Sequence, residues 1–243
     1  MHAAISTFRT LLLAAVFAVP ITVQAQFTEN FGDVSALTLT DWYFQNNSDP
    51  LGTTGWFQGN PAIFTAQSGA DNAYIATNFQ NVGVVGTISN WMLTPKLVLE
   101  DGAVFSFFTR VPSDAGVFPD RLELRLSTAG ASTDVGNDAF SVGEFDDLLL
   151  SVNPNLAVTG YPNDWTQFSV TLSGIGAPAT GRFGFRYFVT DAGDGGSNGD
   201  YIGIDAVSYT AVSVVPEPAS LAMIGVGLFG LFGLALLQRR RVS

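Results

Sequence analysis

Carboxylates are the main reactive side chains of this sequence. It contains no cysteine, and its one histidine, His2, lies at the extreme N terminus. A thiolate zinc site, a disulfide framework and a histidine-dependent catalytic triad are therefore excluded. The formal net charge of −11 excludes a nucleic-acid-binding surface, which needs clustered lysine and arginine. Acidic, aromatic and amide side chains remain, and these suit cation or glycan binding.

Residues 143–148, GEFDDL, contain two acids with the alternate spacing that some glycosidases place on one strand. Glycoside hydrolysis needs two carboxylates about 5 to 10 Å apart across a cleft, and Glu144 and Asp146 could supply them. No third acid follows on the same face, so solvated acids in front of a strand are the favoured interpretation. We predict no catalytic residues and no enzymatic activity.

The glycine-rich segment DAGDGGSNGD, residues 191–200, has the composition of a cation-binding loop. It departs from the EF-hand pattern, because glycines occupy its third and fifth positions and Ile202 its twelfth. A flexible solvated loop is therefore favoured. If the loop binds a cation, the predicted ligands are Asp191, Asp194 and Asp200.

Four aromatic residues flank a loop-rich stretch that is also rich in Asn, Gln and Asp. They are Trp42, Tyr43, Trp56 and Phe57. Exposed aromatic rings can stack on sugars while neighbouring amides bond the hydroxyls, which makes these four the candidate glycan-binding residues. The simpler alternative is that they are core or loop anchors.

The elements that must position these residues are strands. The body lacks long stretches of helical periodicity and alternates short apolar runs with Gly, Pro, Asn and Asp. This pattern predicts an all-β fold, an antiparallel two-sheet jelly-roll sandwich. Alternating runs predict half-buried strands at 121–126, 166–172 and 182–187, more continuous apolar runs predict more buried strands at 104–108 and 147–152, and a closing strand is predicted at 201–209.

The N terminus has the features of a secretory signal peptide. A positive residue precedes the short apolar run 11–19, and small residues lead to a predicted cleavage between Ala25 and Gln26 by signal peptidase. Residues 1–25 are therefore assigned to the signal peptide and residues 26–212 to the β-sandwich domain.

The C-terminal segment, residues 213–243, contains an uncharged apolar run over 219–237. A helix of that length matches the roughly 30 Å hydrocarbon core of a bilayer, so a single transmembrane helix is predicted. Clustered arginines mark the cytoplasmic side of such a helix. In this sequence they are Arg239, Arg240 and Arg241.

The order of a Pro-Glu-Pro element, an apolar helix and terminal arginines resembles the PEP-CTERM sorting signal of Gram-negative bacteria. The resemblance implies recognition by an exosortase, a transient inner-membrane anchor, and release to the cell surface or an exopolysaccharide matrix. A permanent membrane tether is the alternative. The element that would be processed consists of Val215, Pro216, Glu217 and Pro218.

Most of the body resembles the choice-of-anchor J domain, which is similar to cleaved-adhesin jelly rolls. The elements NWMLTP at 90–95 and GIDAV at 203–207 carry the resemblance. It implies an adhesive or binding module at the cell surface.

Asp205 lies in the predicted closing strand, and simple alternation places it on one face with Tyr201, Gly203, Val207 and Tyr209. A jelly roll brings its first and last strands together, which would place Glu29 near Asp205. Related jelly rolls hold a structural Ca²⁺ between these strands, so the resemblance implies calcium ligands at Glu29 and Asp205. The alternative is a carboxylate bonded to an arginine or to backbone N–H groups.

These observations predict an exported, non-enzymatic module that adheres to cells or to the exopolysaccharide matrix. Two alternatives stay open. One is a carboxylate-based glycoside hydrolase or lyase acting on extracellular polysaccharide, and the other is a self-assembling structural matrix protein.

Overall fold

The computed structural model describes residues 21–113 and 117–214, with side chains described over 27–113 and 117–211. Residues 23–212 form one compact unit, which contains nearly all of the described residues. Within the described ranges, no helix is both long enough and apolar enough to cross a bilayer. The predicted transmembrane helix 219–237, the sorting residues and most of the predicted signal peptide lie outside these ranges.

The described chain forms two antiparallel sheets. The strands are β1 Ile21–Glu29, β2 Tyr43–Asn46, β3 Asp49–Leu51, β4 Phe57–Gln58, β5 Ile75–Asn78, β6 Val82–Leu93, β7 Leu97–Leu99, β8 Val104–Arg110, β9 Leu122–Ser127, β10 Asp147–Val152, β11 Thr166–Thr171, β12 Ala179–Ala192 and β13 Tyr201–Val214. Two 3₁₀ helices span Val34–Thr40 and Phe79–Asn81. The first sheet has the order β11-β8-β13-β5-β4, with β1 also paired to β13. The second has the order β10-β9-β12-β6-β2, with β3 on β6 and β7 on β12.

The main core lies between the sheets and is aromatic where β8 faces β12. The ring centroids of Phe105 and Phe183 are 4.0 Å apart, and Phe107 meets Phe185 edge-on at 5.0 Å. All four side chains are fully buried. Such pairs add about 0.5–1.5 kcal/mol each beyond the burial of their area. The prediction of an antiparallel two-sheet sandwich is confirmed.

All six predicted strands are present, but the predicted exposure was wrong for three of them. β10 was expected to be buried, yet it is an edge strand and its Leu148 is 47% exposed. β9 and β12 were expected to be half-buried, yet Glu123 and Arg186 on their polar face are buried. Long connections cover the outer faces of both sheets, which strand periodicity does not reveal.

Residues 128–146 cover the outer face of the second sheet. Phe145 of this segment packs on Trp91, with ring centroids 5.9 Å apart. Arg186 beneath it donates to Ser89 Oγ at 3.0 Å and to the Ala139 carbonyl at 2.6 Å. Its guanidinium also lies 3.3 Å from Glu123 Oε2. The segment 128–146 therefore covers an arginine whose guanidinium is hydrogen-bonded to Ser89 and Ala139 and paired with Glu123.

Residues 59–73 cover the outer face of the first sheet. Phe64 stacks on Tyr74 and meets Tyr201 of β13 edge-on at 5.5 Å. It lies directly over Gly203, where an added Cβ would come within 2.8 Å of the ring. Glycine at this position therefore lets the covering segment approach the sheet.

Candidate functional site

A cleft of about 660 Å³ opens along one side of the sandwich. Edge strand β4 of the first sheet and edge strand β2 of the second form its walls, and the first 3₁₀ helix closes one end. Residues of all three elements and of β6 line it, namely Asp33, Val34, Ser35, Thr38, Phe44, Gln45, Asn46, Gly55, Trp56, Phe57, Gln58 and Asn90.

Hydrogen bonds from Gln58 fix the 3₁₀ helix against β4. Its Oε1 accepts from Val34 N at 2.9 Å, and its Nε2 donates to the Phe31 carbonyl at 2.8 Å. Asp33 caps the helix, because its Oδ1 accepts from Ser35 N at 3.0 Å and from Ser35 Oγ at 2.6 Å. The wall that carries Asp33 is thus held in place before any ligand arrives.

The segment bearing Trp56 is held from the opposite wall. Asn46 donates from Nδ2 to the carbonyls of Thr54 and Asn81, at 3.1 and 3.0 Å. The half-buried Trp56 ring packs against the main core. Its Nε1 is buried and has no hydrogen-bond partner among the described residues.

The four aromatic residues predicted for glycan binding separate in the structure. Trp56 and Phe57 line the cleft. Trp42 is 4% exposed and packs against Phe27 and Phe31 in the core. Tyr43 packs on the outer face of the second sheet, and its hydroxyl donates to a glutamine of the same strand.

Sequence reasoning missed most of the cleft. Phe44, Gln45, Asn90 and Asp33 come from three separate elements that only the fold brings together. The one local signal was Asp33 followed two residues later by Ser35, a pattern typical of a helix cap.

Asp205 is fully buried on β13 beneath the segment that covers the first sheet. Its Oδ2 accepts from the backbone N–H groups of Gln67 and Ser68, at 2.9 and 3.1 Å, and its Oδ1 accepts from Ala206 N at 2.6 Å. These bonds correspond to the backbone alternative considered for this carboxylate.

A β-bulge corrects the predicted neighbours of Asp205. Pairing with β8 shifts between Asp205 and Ser208, and Ala206 has a φ of 48°. The extra residue reverses the alternation. Val207 and Tyr209 therefore join the core between the sheets, whereas Tyr201 packs with the covering segment on the outer face.

Glu29 lies close enough to Asp205 to influence it. Burial raises the pKa of Asp205 to about 6; the three backbone N–H groups oppose this shift and the charge of Glu29 adds to it. Glu29 Oε1 accepts from Phe31 N at 2.7 Å. The pair offers only oxygen donors, the type that calcium prefers. In the described ranges, however, no group of three or more His, Cys or acidic residues is placed to hold a metal, so backbone carbonyls would have to complete a calcium shell.

The three predicted loop ligands are only partly brought together. Asp194 and Asp200 line a cavity of about 190 Å³ with Phe79 and Phe118. Asp191 is exposed, and its backbone carbonyl accepts from two N–H groups of the same loop.

A buried acid beside this loop escaped sequence reasoning. Asp120 is 1% exposed, and its Oδ1 accepts from Asp200 N at 2.9 Å and from the Tyr187 hydroxyl. Its Oδ2 has no hydrogen-bond partner among the described residues. Burial raises the pKa of Asp120 to about 7, and the charge of Asp200 contributes to the shift. Nothing in the local sequence distinguishes this residue from a solvated acid in front of a strand.

Glu144 and Asp146 are exposed and line a separate depression of about 480 Å³ beside β10. This depression lies at the opposite edge of the second sheet from the Trp56 cleft.

Comparison with known protein families matches the C-terminal segment of the chain. Residues 214–241 match the PEP-CTERM protein-sorting motif, which implies exosortase-sorted export. No curated protein sequence matches this chain significantly.

Solved structures share the sandwich fold. The K1 cleaved adhesin domain of Lys-gingipain from Porphyromonas gingivalis W83 is 22% identical, with a TM-score of 0.50, over 79% of this chain and 99% of that domain. The K2 cleaved adhesin domain of Lys-gingipain is 15% identical, with a TM-score of 0.50, over 76% of this chain and 99% of that domain. The chain thus combines a cleaved-adhesin-like β-sandwich with an exosortase sorting motif.

Proposed function

We propose that this protein is an exported, non-enzymatic glycan-binding module that associates with the cell surface or the exopolysaccharide matrix, and that its domain is of the choice-of-anchor J type. The observation that carries the proposal is the side cleft, where Trp56 and Phe57 meet amide and hydroxyl side chains. Aromatic faces cover the apolar faces of sugar rings, and a few placed polar groups fix orientation.

Two features of the cleft favour a sugar over a small apolar ligand. Its lining combines aromatic residues with amide residues, among them Asn46 and Gln58. Trp56 also carries a buried indole N–H that has no hydrogen-bond partner among the described residues. If the ring rotates so that this N–H reaches the cleft, a sugar hydroxyl can accept from it, whereas an apolar ligand would leave it unpaired.

The proposed cellular location rests on the N-terminal signal-peptide segment and the C-terminal sorting segment. We propose that signal peptidase cuts between Ala25 and Gln26, and that the segment 219–237 anchors the protein transiently in the inner membrane of a Gram-negative bacterium. Exosortase would then process the element 215–218 and release the domain.

The test is binding of residues 26–212 to a polysaccharide panel that includes bacterial exopolysaccharides. Trp56→Ala should weaken binding about five- to 150-fold, if a sugar ring gains the roughly 1–3 kcal/mol that a nucleic-acid base gains by stacking on an aromatic side chain. Phe140→Ala is the matched control, because Phe140 is 67% exposed and lies on the segment that covers the second sheet, outside the cleft. Equal binding by both variants would refute the cleft as the site.

The same experiment separates the rival functions. Shortening of the polymer, lost in Glu144→Gln, would favour a carboxylate hydrolase or lyase at the depression beside β10. Self-association without glycan binding would favour a structural matrix protein.

We also propose a structural Ca²⁺ held by Glu29 and Asp205. The electrostatic coupling of these two carboxylates across the β1–β13 pairing supports it. Such an ion would neutralise two like charges and tie the first strand to the last.

A further inference from the structure

Among the described residues that line the side cleft, one has a charged side chain. That residue is Asp33; the others are aromatic, aliphatic, amide, hydroxyl or glycine. Two cations beside the C-terminal end of the first 3₁₀ helix are paired with its cap residue, since Lys96 lies 3.6 Å and Arg182 2.9 Å from carboxylate oxygens of Asp41. A ligand in the cleft would therefore meet a negative charge and no lining cation.

We infer that the cleft selects uncharged glycans and that Asp33 is the residue that excludes anionic ones. This inference rests on the proposed glycan-binding function and names the ligand class of the same site. Proteins that bind carboxylated or phosphorylated ligands place arginine or lysine against the anion. The carboxylate of a uronate in this cleft would lose part of its hydration and meet the charge of Asp33, without an arginine or lysine among the described lining residues.

The position of Asp33 suits this role. It is exposed at the N-cap of the 3₁₀ helix, and both hydrogen bonds from Ser35 go to Oδ1. The hydroxyl of Ser35 is the main cause that lowers the pKa of Asp33, so the group is charged at every pH near neutrality. A sugar hydroxyl can donate to this fixed carboxylate, whereas a sugar carboxylate cannot.

The size of the discrimination against anionic glycans follows from Coulomb's law. Two unit charges about 6 Å apart in water repel enough to weaken binding about threefold, and a cleft with a lower effective dielectric increases the effect to about tenfold. The Debye length falls from about 10 Å at 0.1 M salt to about 3 Å at 1 M. The selection should therefore weaken as salt is added, while stacking on Trp56 persists.

Asp33→Asn is the informative variant because asparagine is as good an N-cap as aspartate. Its Oδ1 can keep the bonds from Ser35, so the change removes the charge and preserves the wall. Asp146→Asn is the matched control, since it removes the same charge from the exposed depression beside β10, at the far edge of the second sheet.

The experiment measures binding of residues 26–212, which contain the whole described core, to two sets of polymers at 20 mM and 500 mM NaCl. Dextran, barley β-glucan and galactomannan are the neutral set; alginate and polygalacturonate are the anionic set. We expect the unmodified domain to prefer a neutral polymer. Asp33→Asn should strengthen binding of the anionic set about three- to tenfold at 20 mM NaCl and change neutral binding less than threefold. Asp146→Asn should change either set less than twofold.

Three outcomes would overturn the inference. One is tighter binding of the anionic set by the unmodified domain. Another is the same gain in Asp33→Asn and Asp146→Asn, which would assign selection to net charge and leave the proposed glycan binding intact. The third is absence of binding to every polymer, which would remove the proposed function and this inference with it.

Discussion

Asp120→Asn should stabilise the protein at alkaline pH and leave it almost unchanged at pH 5. The buried Oδ2 of Asp120 has no partner among the described residues, whereas Oδ1 accepts from Asp200 N and from the Tyr187 hydroxyl. Asparagine can keep both bonds through its own oxygen. The substitution therefore removes a buried charge without removing a hydrogen bond.

The magnitude follows from linkage. The pKa of Asp120 is raised from 3.8 to about 7 by burial, so the folded state holds a proton that the unfolded state has released. The stability that protonated Asp120 contributes to the folded state is fully present below pH 3.8 and is lost as the pH rises through about 7. Between pH 5 and pH 8 this residue should reduce the free energy of unfolding by about 3 kcal/mol. Asp205, with a pKa raised to about 6, should add about 1 kcal/mol in the same direction.

The assay is urea unfolding of residues 26–212 at pH 5 and pH 8 in a chelating buffer. The free energy of unfolding of the unmodified domain should fall by about 4 kcal/mol between the two pH values. In Asp120→Asn the fall should shrink to about 1 kcal/mol, since the contribution of Asp205 remains. Comparing pH values within each variant cancels any constant cost of the buried amide.

Asp146→Asn serves as the control, because its exposed carboxylate should leave the pH dependence unchanged. Retention of the full pH dependence in Asp120→Asn would show that Asp120 is not the group whose ionisation destabilises the folded protein. Loss of stability in Asp120→Asn at pH 8 but not at pH 5 would also refute it, because it would mean that the ionised carboxylate is stabilised by a partner.

Calcium should raise the melting temperature of residues 26–212 relative to a chelator, because a ligand of the native state adds stability; differential scanning fluorimetry would measure this, and Glu29→Gln should abolish the increment. An unchanged melting temperature would remove the proposed calcium pair. Glu217→Ala or Pro218→Ala should keep the full-length protein in the inner membrane, and normal release on cell fractionation would contradict exosortase processing. Arg186→Met should cost about 1–3 kcal/mol in urea unfolding, because it leaves Ser89 Oγ and the Ala139 carbonyl without their buried donor, while Glu123 keeps Arg125 at 2.8 Å. A loss below about 0.5 kcal/mol would contradict the burial of these two hydrogen bonds.

The sequence by itself located six of the thirteen described strands and the C-terminal sorting motif. Polar and apolar residues alternate at 166–172, as the period-two geometry of a strand requires, and that pattern located β11 correctly. The terminal motif at 214–241 is likewise a contiguous pattern, readable without a fold. The sequence also excluded one class of site, because a chain without cysteine cannot form thiolate metal sites.

Only the tertiary structure decided which residues meet. Trp42 and Trp56 have similar surroundings in the sequence, yet one anchors the core and the other lines the cleft. A single bulge after Asp205 moved Val207 to the other face, because one extra residue reverses a period of two. Asp120 became a buried acid because Tyr187 and Asp200, remote along the chain, close over it. Burial and charge environment depend on contacts between distant segments, which local spacing does not encode.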